Sequence, residues 1–313
     1  MSSIEKTSPE TPSEASAHPA RAKRSRSRIA PVYLWMIAPA FVLFFVFHTI
    51  PVLQGVYYSF TDSAGYGSHE FVGLHNYINL FRDSRVLDAY GFTFKFAIAA
   101  TVLVNAIALA IALGLNAKIK LQATLRAVFF LPNVLAILIV GYVFSFIFAN
   151  TVPWLGQRIG SETLSENLLT SPDHAWLVIL FVTVWQAVAF NVLIYLAGLQ
   201  TVPAEVYEAA TVDGAGEWRK FTSLTFPLIL PFFTINMVLS LKGFLQVFDQ
   251  IIALTNGGPG DATTSVAMLI YKGGFQGGEF AYQSANAVVY FVVIVIVSMT
   301  QLRFLQSRES DIG

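Results

Sequence analysis

There is no cysteine among the 313 residues, and only 12% of them are charged. The first absence excludes a disulfide framework, a zinc–thiolate site and a thiol nucleophile. The second leaves about half the charge of an average soluble domain, which is roughly 25%. A water-facing surface is hard to cover with so little charge, whereas a lipid-facing surface needs no such cover. Lys plus Arg and Asp plus Glu number 19 each, so net charge is zero and no basic excess marks a nucleic-acid partner. A Gly-x-x-x-x-Gly-Lys-Ser/Thr phosphate loop is missing too. The glycines at Gly273, Gly274, Gly277 and Gly278 have neither its spacing nor a following lysine, and read as a flexible outer loop. His18, His48, His69, His75 and His174 show no metal-ligand spacing, and no carboxylate pair or nucleophile motif stands out. No catalytic residue, no metal and no cofactor on this chain are expected.

Apolar residues make up 55% of the chain. After a Ser/Pro/Glu-rich start and a basic cluster (Arg21, Lys23, Arg24, Arg26, Arg28), they gather into six stretches. Residues 1–30 cannot bury enough apolar surface to offset their ordering entropy and are expected to form a disordered tail. The apolar run that follows is too long for the core of a signal peptide. Each stretch approaches the roughly 20 residues that cross about 30 Å of hydrocarbon. They lie near 32–56, 92–114, 127–148, 176–199, 222–246 and 281–304, within a membrane domain over 31–306 that leaves 307–313 as a short tail. The fold class is therefore an all-α membrane protein with six transmembrane helices. Pro39, Pro51, Pro132, Pro227 and Pro231 fall inside the stretches, which neighbouring helices in a membrane bundle tolerate. Ala106, Ala110 and Gly114 form a small-residue stripe suited to close helix contact, or belong to an ordinary alanine-rich helix.

Orientation follows from the basic residues. With the N-terminus inside, the tail, the 115–126 loop, the 200–221 loop and the C-terminus hold thirteen Lys and Arg, against six outside. Both termini are thus expected in the cytoplasm. The tail and the 115–126 loop, with Lys118, Lys120 and Arg126, carry that asymmetry.

Between the fourth and fifth stretches, residues 201–221 read as a cytoplasmic helix and not as a plain loop. Pro203 suits a first helical turn, and Glu205 and Glu208 complement the helix dipole. Tyr207, Ala210, Gly214, Trp218 and Phe221 recur at helical spacing and predict one apolar face, with Gly214 and Gly216 allowing a bend. Such a face needs cover from lipid, from the bundle itself or from another protein. Glu208-Ala209-Ala210, three residues, Gly214, nine residues, then Leu224-Thr225-Phe226-Pro227 resembles the EAA loop of binding-protein-dependent ABC importer permeases, with Phe226 where leucine is usual. The resemblance implies a coupling helix that docks on an ATPase subunit through Glu208, Ala209, Ala210 and Gly214, with Asp213 beside them.

Other segments resemble the maltose-type sugar branch of that family in the same order: Phe71 to Tyr77, Arg126 with Phe130-Leu131-Pro132, Leu196 to Gln200, and Leu254-Thr-Asn-Gly-Gly-Pro259. The resemblance implies a bacterial or archaeal cytoplasmic-membrane permease with a related second permease subunit, a dimer of ATPase subunits that hold ATP and magnesium, and an extracytoplasmic solute-binding protein. Within the spans, Thr183, Gln186 and Phe190 share one helix face, and Ser240, Phe244 and Val247 share another. Intramembrane polar groups are costly unless they face the bundle interior, so these six are the candidate sugar contacts, or else they bond and pack between helices. In maltose-type permeases the pocket lies on the corresponding helices. An ion-coupled transporter is the alternative, but its intramembrane carboxylates are absent apart from Asp249 near one span end. A membrane enzyme would need the catalytic groups found missing above.

Overall fold

The structure, a computed structural model, describes residues 31–117 and 121–310. The tail expected over 1–30, Lys118, Lys120 and residues 311–313 lie outside the described residues. Packing divides the chain at Pro51–Val52. The first unit holds the start of α1 (Trp35–Tyr58), and the second builds the bundle. Its helices are α2 (His75–Leu80), α3 (Ser84–Asn116), α4 (Gln122–Val134), α5 (Ile137–Ile159), α6 (Pro172–Leu199), α7 (Ala204–Val212), α8 (Glu217–Leu228), α9 (Leu230–Leu245), α10 (Asp249–Leu254), α11 (Val266–Tyr271) and α12 (Phe280–Ser310). Among the described residues the only β pairing is one bridge, Thr61 with Phe71. Five helices (α1, α3, α5, α6, α12) are long and apolar enough to cross a membrane, and α8 with α9 makes a sixth if that pair, bent by 69°, is one span.

Two of the six stretches need correction. The span expected over 127–148 is interrupted: α4 ends at Val134, Leu135 and Ala136 are extended, and α5 starts at Ile137. That run is apolar on every side, so periodicity gives no sign of the break. The stretch over 222–246 turns at Ile229, between Pro227 and Pro231, neither of which supplies a backbone donor. The glycine run is also not simply a loop, because Lys272–Gln276 continue α11 as a helical turn and Gly274 is buried.

Proline leaves a common mark on the spans. Wide helical turns at Phe45–Thr49, Ile147–Thr151 and Phe221–Thr225 each end two residues before a proline: Pro51, Pro153 and Pro227. At each, the residue just before the proline donates to a carbonyl five back: Ile50 to Phe45, Val152 to Ile147, Phe226 to Phe221. A proline ring crowds the carbonyl four residues earlier and offers no N–H. One widened turn absorbs that clash and keeps the helix continuous.

The core forms where α3 meets α6. Ala97, Ala100, Val104, Ala108, Ala112 and Leu115 are buried along α3, while Ala106, Ala110 and Gly114 are exposed. The small-residue stripe thus lies on the face of α3 turned away from α6, and makes no close helix contact among the described residues; both faces carry small residues at similar spacing. α6 is buried along most of its length. At its C-terminal end, Gly198 lets α9 approach so closely that a Cβ there would stand 2.7 Å from the ring of Phe232.

At the opposite end, Asn76 organises the loop before α2. Its amide donates to the carbonyls of Ser59 (2.9 Å) and Thr61 (2.7 Å), and the Tyr77 hydroxyl meets that of Ser59 at 2.7 Å. These bonds give the Asn-Tyr pair of the sequence a structural task, namely satisfying loop carbonyls that no helix or sheet takes up. Asp83 caps α3 and pairs with Arg85, which also reaches Glu279 at the start of α12. Hydrogen bonds from Arg85 hold the Asp83 carboxyl below its usual range, against the opposing effect of burial.

Gly198→Val is expected to destabilise by about 1–3 kcal/mol through overpacking against Phe232, read as a lowered unfolding temperature in detergent. Because the Asp83 value is depressed, its contribution is present above the ordinary carboxylate range and is lost as pH falls through the lowered value. Asp83→Asn keeps the cap but removes the ion pair, so with Arg85 exposed its cost at neutral pH is expected to stay within about 1 kcal/mol. It should also abolish the acid dependence of that contribution.

Candidate functional site

The break between α4 and α5 starts the site. It strips intrahelical donors from the carbonyls around Pro132 and Leu135, which then need partners from elsewhere in the protein. Gln186 on α6 fills the gap, its Nε2 donating to Leu135 O at 3.0 Å and to Pro132 O at 3.4 Å. Carbonyls only accept, so the bonds fix the amide's orientation and leave Gln186 Oε1 pointing elsewhere. That oxygen is buried without a protein partner, as is the hydroxyl of Thr183 one turn earlier. Thr183 is 2% exposed and Gln186 6%.

Across from them, Ser240 on α9 donates to Asn191 Oδ1 at 2.9 Å, Asn191 Nδ2 donates to Ala187 O at 3.1 Å, and Asn236 reaches Asn191 O at 3.2 Å. These bonds hold α6 and α9 together while keeping polar atoms at a shared surface. Between the α4–α5 break, α6 and α9 lies a cavity of about 320 Å³. Its wall includes Thr183, Gln186, Phe190, Ser240 and Phe244. Five of the six expected solute contacts are thus brought together in one place.

Val247 is the exception. It is buried in the core, and its carbonyl accepts from Ser265 at 2.7 Å. α9 stops at Leu245, so the helical register that would have turned Val247 to the same side as Ser240 and Phe244 no longer holds. Sequence reasoning missed Asn133, Leu135, Asn191 and Gln250, which also line the cavity. Asn191 was within reach: it stands eight residues after Thr183, on the same helix face. Asn133 and Leu135 depend on a break with no periodic signature, and Gln250 on where α9 ends.

The second element is the 201–221 segment. α7 ends in a Schellman motif: Ala215 N–H bonds Ala210 O at 2.9 Å, and Gly214 N–H bonds Thr211 O at 3.1 Å. The motif puts Gly214 at φ +74, where a side chain is disfavoured. The spacing from Ala210 to Gly214 is therefore that of a helix stop. Tyr207 and Thr225 hydroxyls meet at 3.0 Å and tie α7 to α8.

The chain turns at Gly214, as its glycines allow, so the segment is not one continuous helical face: Tyr207, Ala210 and Phe221 pack inward, while Trp218 is 77% exposed yet borders the same cleft as Tyr207 and Phe221. Among the coupling candidates, Glu208, Ala209, Asp213 and Gly214 are exposed and Ala210 is buried, so Ala210 anchors the helix from within. Val212, 88% exposed, adds an apolar contact that the sequence pattern did not single out.

Residues 105–310 match the family described as binding-protein-dependent transport system inner membrane component. The multiple sugar-binding transport system permease protein of Streptococcus mutans is 37% identical over 278 residues, covering 88% of this chain and 96% of that protein. A probable starch degradation products transport system permease of Thermoanaerobacterium thermosulfurigenes is 33% identical over 291 residues, covering 93% and 99%. Among solved structures, a bacterial ABC transporter involved in import of the acidic polysaccharide alginate superposes with a TM-score of 0.78 at 22% identity, over 88% of this chain and 95% of that one. That transporter has also been crystallised with its alginate pentasaccharide-bound periplasmic protein. At such low identity the likeness shows the fold.

Two substitutions separate the structural from the solute-facing polar groups. Thr183→Val removes a hydroxyl with no protein partner and is expected to leave the unfolding temperature unchanged or raised. Gln186→Leu removes the donor to both carbonyls at the break and is expected to destabilise by about 0.5–1.5 kcal/mol. Equal losses in both variants would show that Thr183 is bonded within the fold.

Proposed function

This chain belongs to the family of binding-protein-dependent transport system inner membrane components, and on that premise we propose that it is the permease subunit through which an ATP-driven importer moves a sugar inward. It is a multi-pass membrane protein and a transport subunit. The sugar assignment is supported by the relatives that match along nearly their whole length. The observation that carries a transport role at residue level is the cavity. Its wall combines the polar residues Thr183, Gln186, Asn191 and Ser240 with the rings of Phe190 and Phe244. Hydroxyl groups of a pyranose bond to such polar groups, and its C–H faces pack on such rings.

In this proposal both termini and α7 lie in the cytoplasm, and the cavity opens alternately to either side. ATP and magnesium sit on a pair of separate ATPase subunits. α7 rests in a groove of one of them through Glu208, Ala209, Val212 and Asp213. Closure of the ATPase pair moves α7, and Tyr207–Thr225 together with buried Ala210 passes that movement to α8 and α9. A related permease chain completes the bundle, and an extracytoplasmic binding protein delivers the solute. Support for the kind of assembly comes from the shared fold with a transporter crystallised with its periplasmic protein.

The docking face is tested in the assembled complex. Glu208→Lys reverses an exposed charge without touching the packing of α7, so the complex should assemble in the membrane yet lose ATP-dependent uptake by about tenfold or more, the equivalent of 1.4 kcal/mol. Because the chain has no cysteine, Asp213→Cys introduces a single thiol expected to cross-link to the ATPase subunit. Undiminished uptake by Glu208→Lys, with no cross-link from Asp213→Cys, would remove α7 from the coupling role.

A further inference from the structure

We propose that the cavity between the α4–α5 break, α6 and α9 accepts uncharged, hydroxyl-rich solutes and rejects anionic ones, so that neutral saccharides pass while sugar phosphates and uronic acids do not. The inference rests on the transport reading above and deepens it. None of the thirteen lining residues is charged. Lys242 and Asp249 are each one residue from a lining position, Gly243 and Gln250, yet neither contributes to the wall.

The polarity of the buried hydrogen-bonding atoms points the same way. Gln186 Nε2 spends both of its hydrogens on the carbonyls of Leu135 and Pro132, and Asn191 Nδ2 spends one of its two on that of Ala187. Ser240 spends its proton on Asn191 Oδ1. The oxygens left without a protein partner are Gln186 Oε1, an acceptor only, and Thr183 Oγ1, and one Asn191 N–H is left as a donor. Asn133 is exposed and Gln250 half-buried, so water competes for whatever their amides offer. A saccharide hydroxyl brings the proton that Gln186 Oε1 lacks. A phosphate dianion or carboxylate brings only lone pairs, finds neutral donors alone in this wall, and would shed its water with no cation to replace it. The fold does not set this preference, since an importer of acidic polysaccharide shares it.

The test uses the full transporter complex without its binding protein, so that the permease cavity alone selects. Matched pairs are presented at millimolar concentration: maltose with maltose 6′-phosphate, sucrose with sucrose 6-phosphate, cellobiose with cellobiouronic acid. Saturation-transfer NMR reports binding, and the signal lost in the Thr183→Val complex defines the part due to this cavity. A neutral member of at least one pair is expected to give a signal dependent on Thr183, and its charged counterpart to bind about 100-fold more weakly or worse, as sites with mismatched buried polar groups do. A charged member that binds as well as its neutral counterpart, with the same dependence on Thr183, overturns the neutrality inference and leaves the cavity standing as a solute site. Absence of any Thr183-dependent signal from either set contradicts the assignment of the cavity as well.

Discussion

Within hydrocarbon, each backbone N–H and C=O has to find its partner inside the protein, and the architecture of this chain follows from how it meets that demand where its helices are interrupted. Prolines in three spans are absorbed by single widened turns that keep the ladder running. The break at Leu135 and Ala136 is too large for that device, so a side chain from another helix supplies the donor. Once Gln186 donates to the Pro132 and Leu135 carbonyls, its own oxygen is left over in a buried place. The structural repair at the break and the polar wall of the cavity are therefore the two ends of one amide.

The 201–221 segment solves a different problem. A short helix is held firmly on its inner side and yet exposes most of the other. The Schellman stop at Gly214 ends α7 sharply, and Ala210 and the Tyr207–Thr225 contact fix its inner side to the bundle. Glu208, Val212 and Asp213 are left outward as a compact mixed face of two charges and one aliphatic group. Since α8 follows within a few residues and bends by 69° into α9, whose Ser240 and Phe244 line the cavity, the path from outer face to solute wall runs through contiguous chain.

Much of this was legible in the sequence because helical spacing is a strong constraint. Thr183, Gln186 and Phe190 fall on one side of α6 by arithmetic alone, and so do Ser240 and Phe244 on α9. The same arithmetic failed wherever a helix ended unannounced. Val247 lies past the last turn of α9, Trp218 lies beyond the reversal at Gly214, and the 127–148 run contains a break hidden by uniform hydrophobicity. Which small-residue face of α3 meets α6 was not legible either, since two faces satisfy the pattern and only tertiary contact buries one. The bond from Gln186 to a break more than fifty residues earlier lies beyond any local pattern.

A single thiol placed at the cavity edge tests the solute cavity most directly. Phe190 is 46% exposed and lines the wall, and the chain carries no cysteine of its own. In the assembled transporter, Phe190→Cys should react with a small water-soluble thiol reagent, and the transported saccharide at saturation should slow that reaction severalfold. A thiol that reacts only with lipid-soluble reagents, or at the same rate with and without saccharide, would place Phe190 against lipid and contradict a solute cavity at this site.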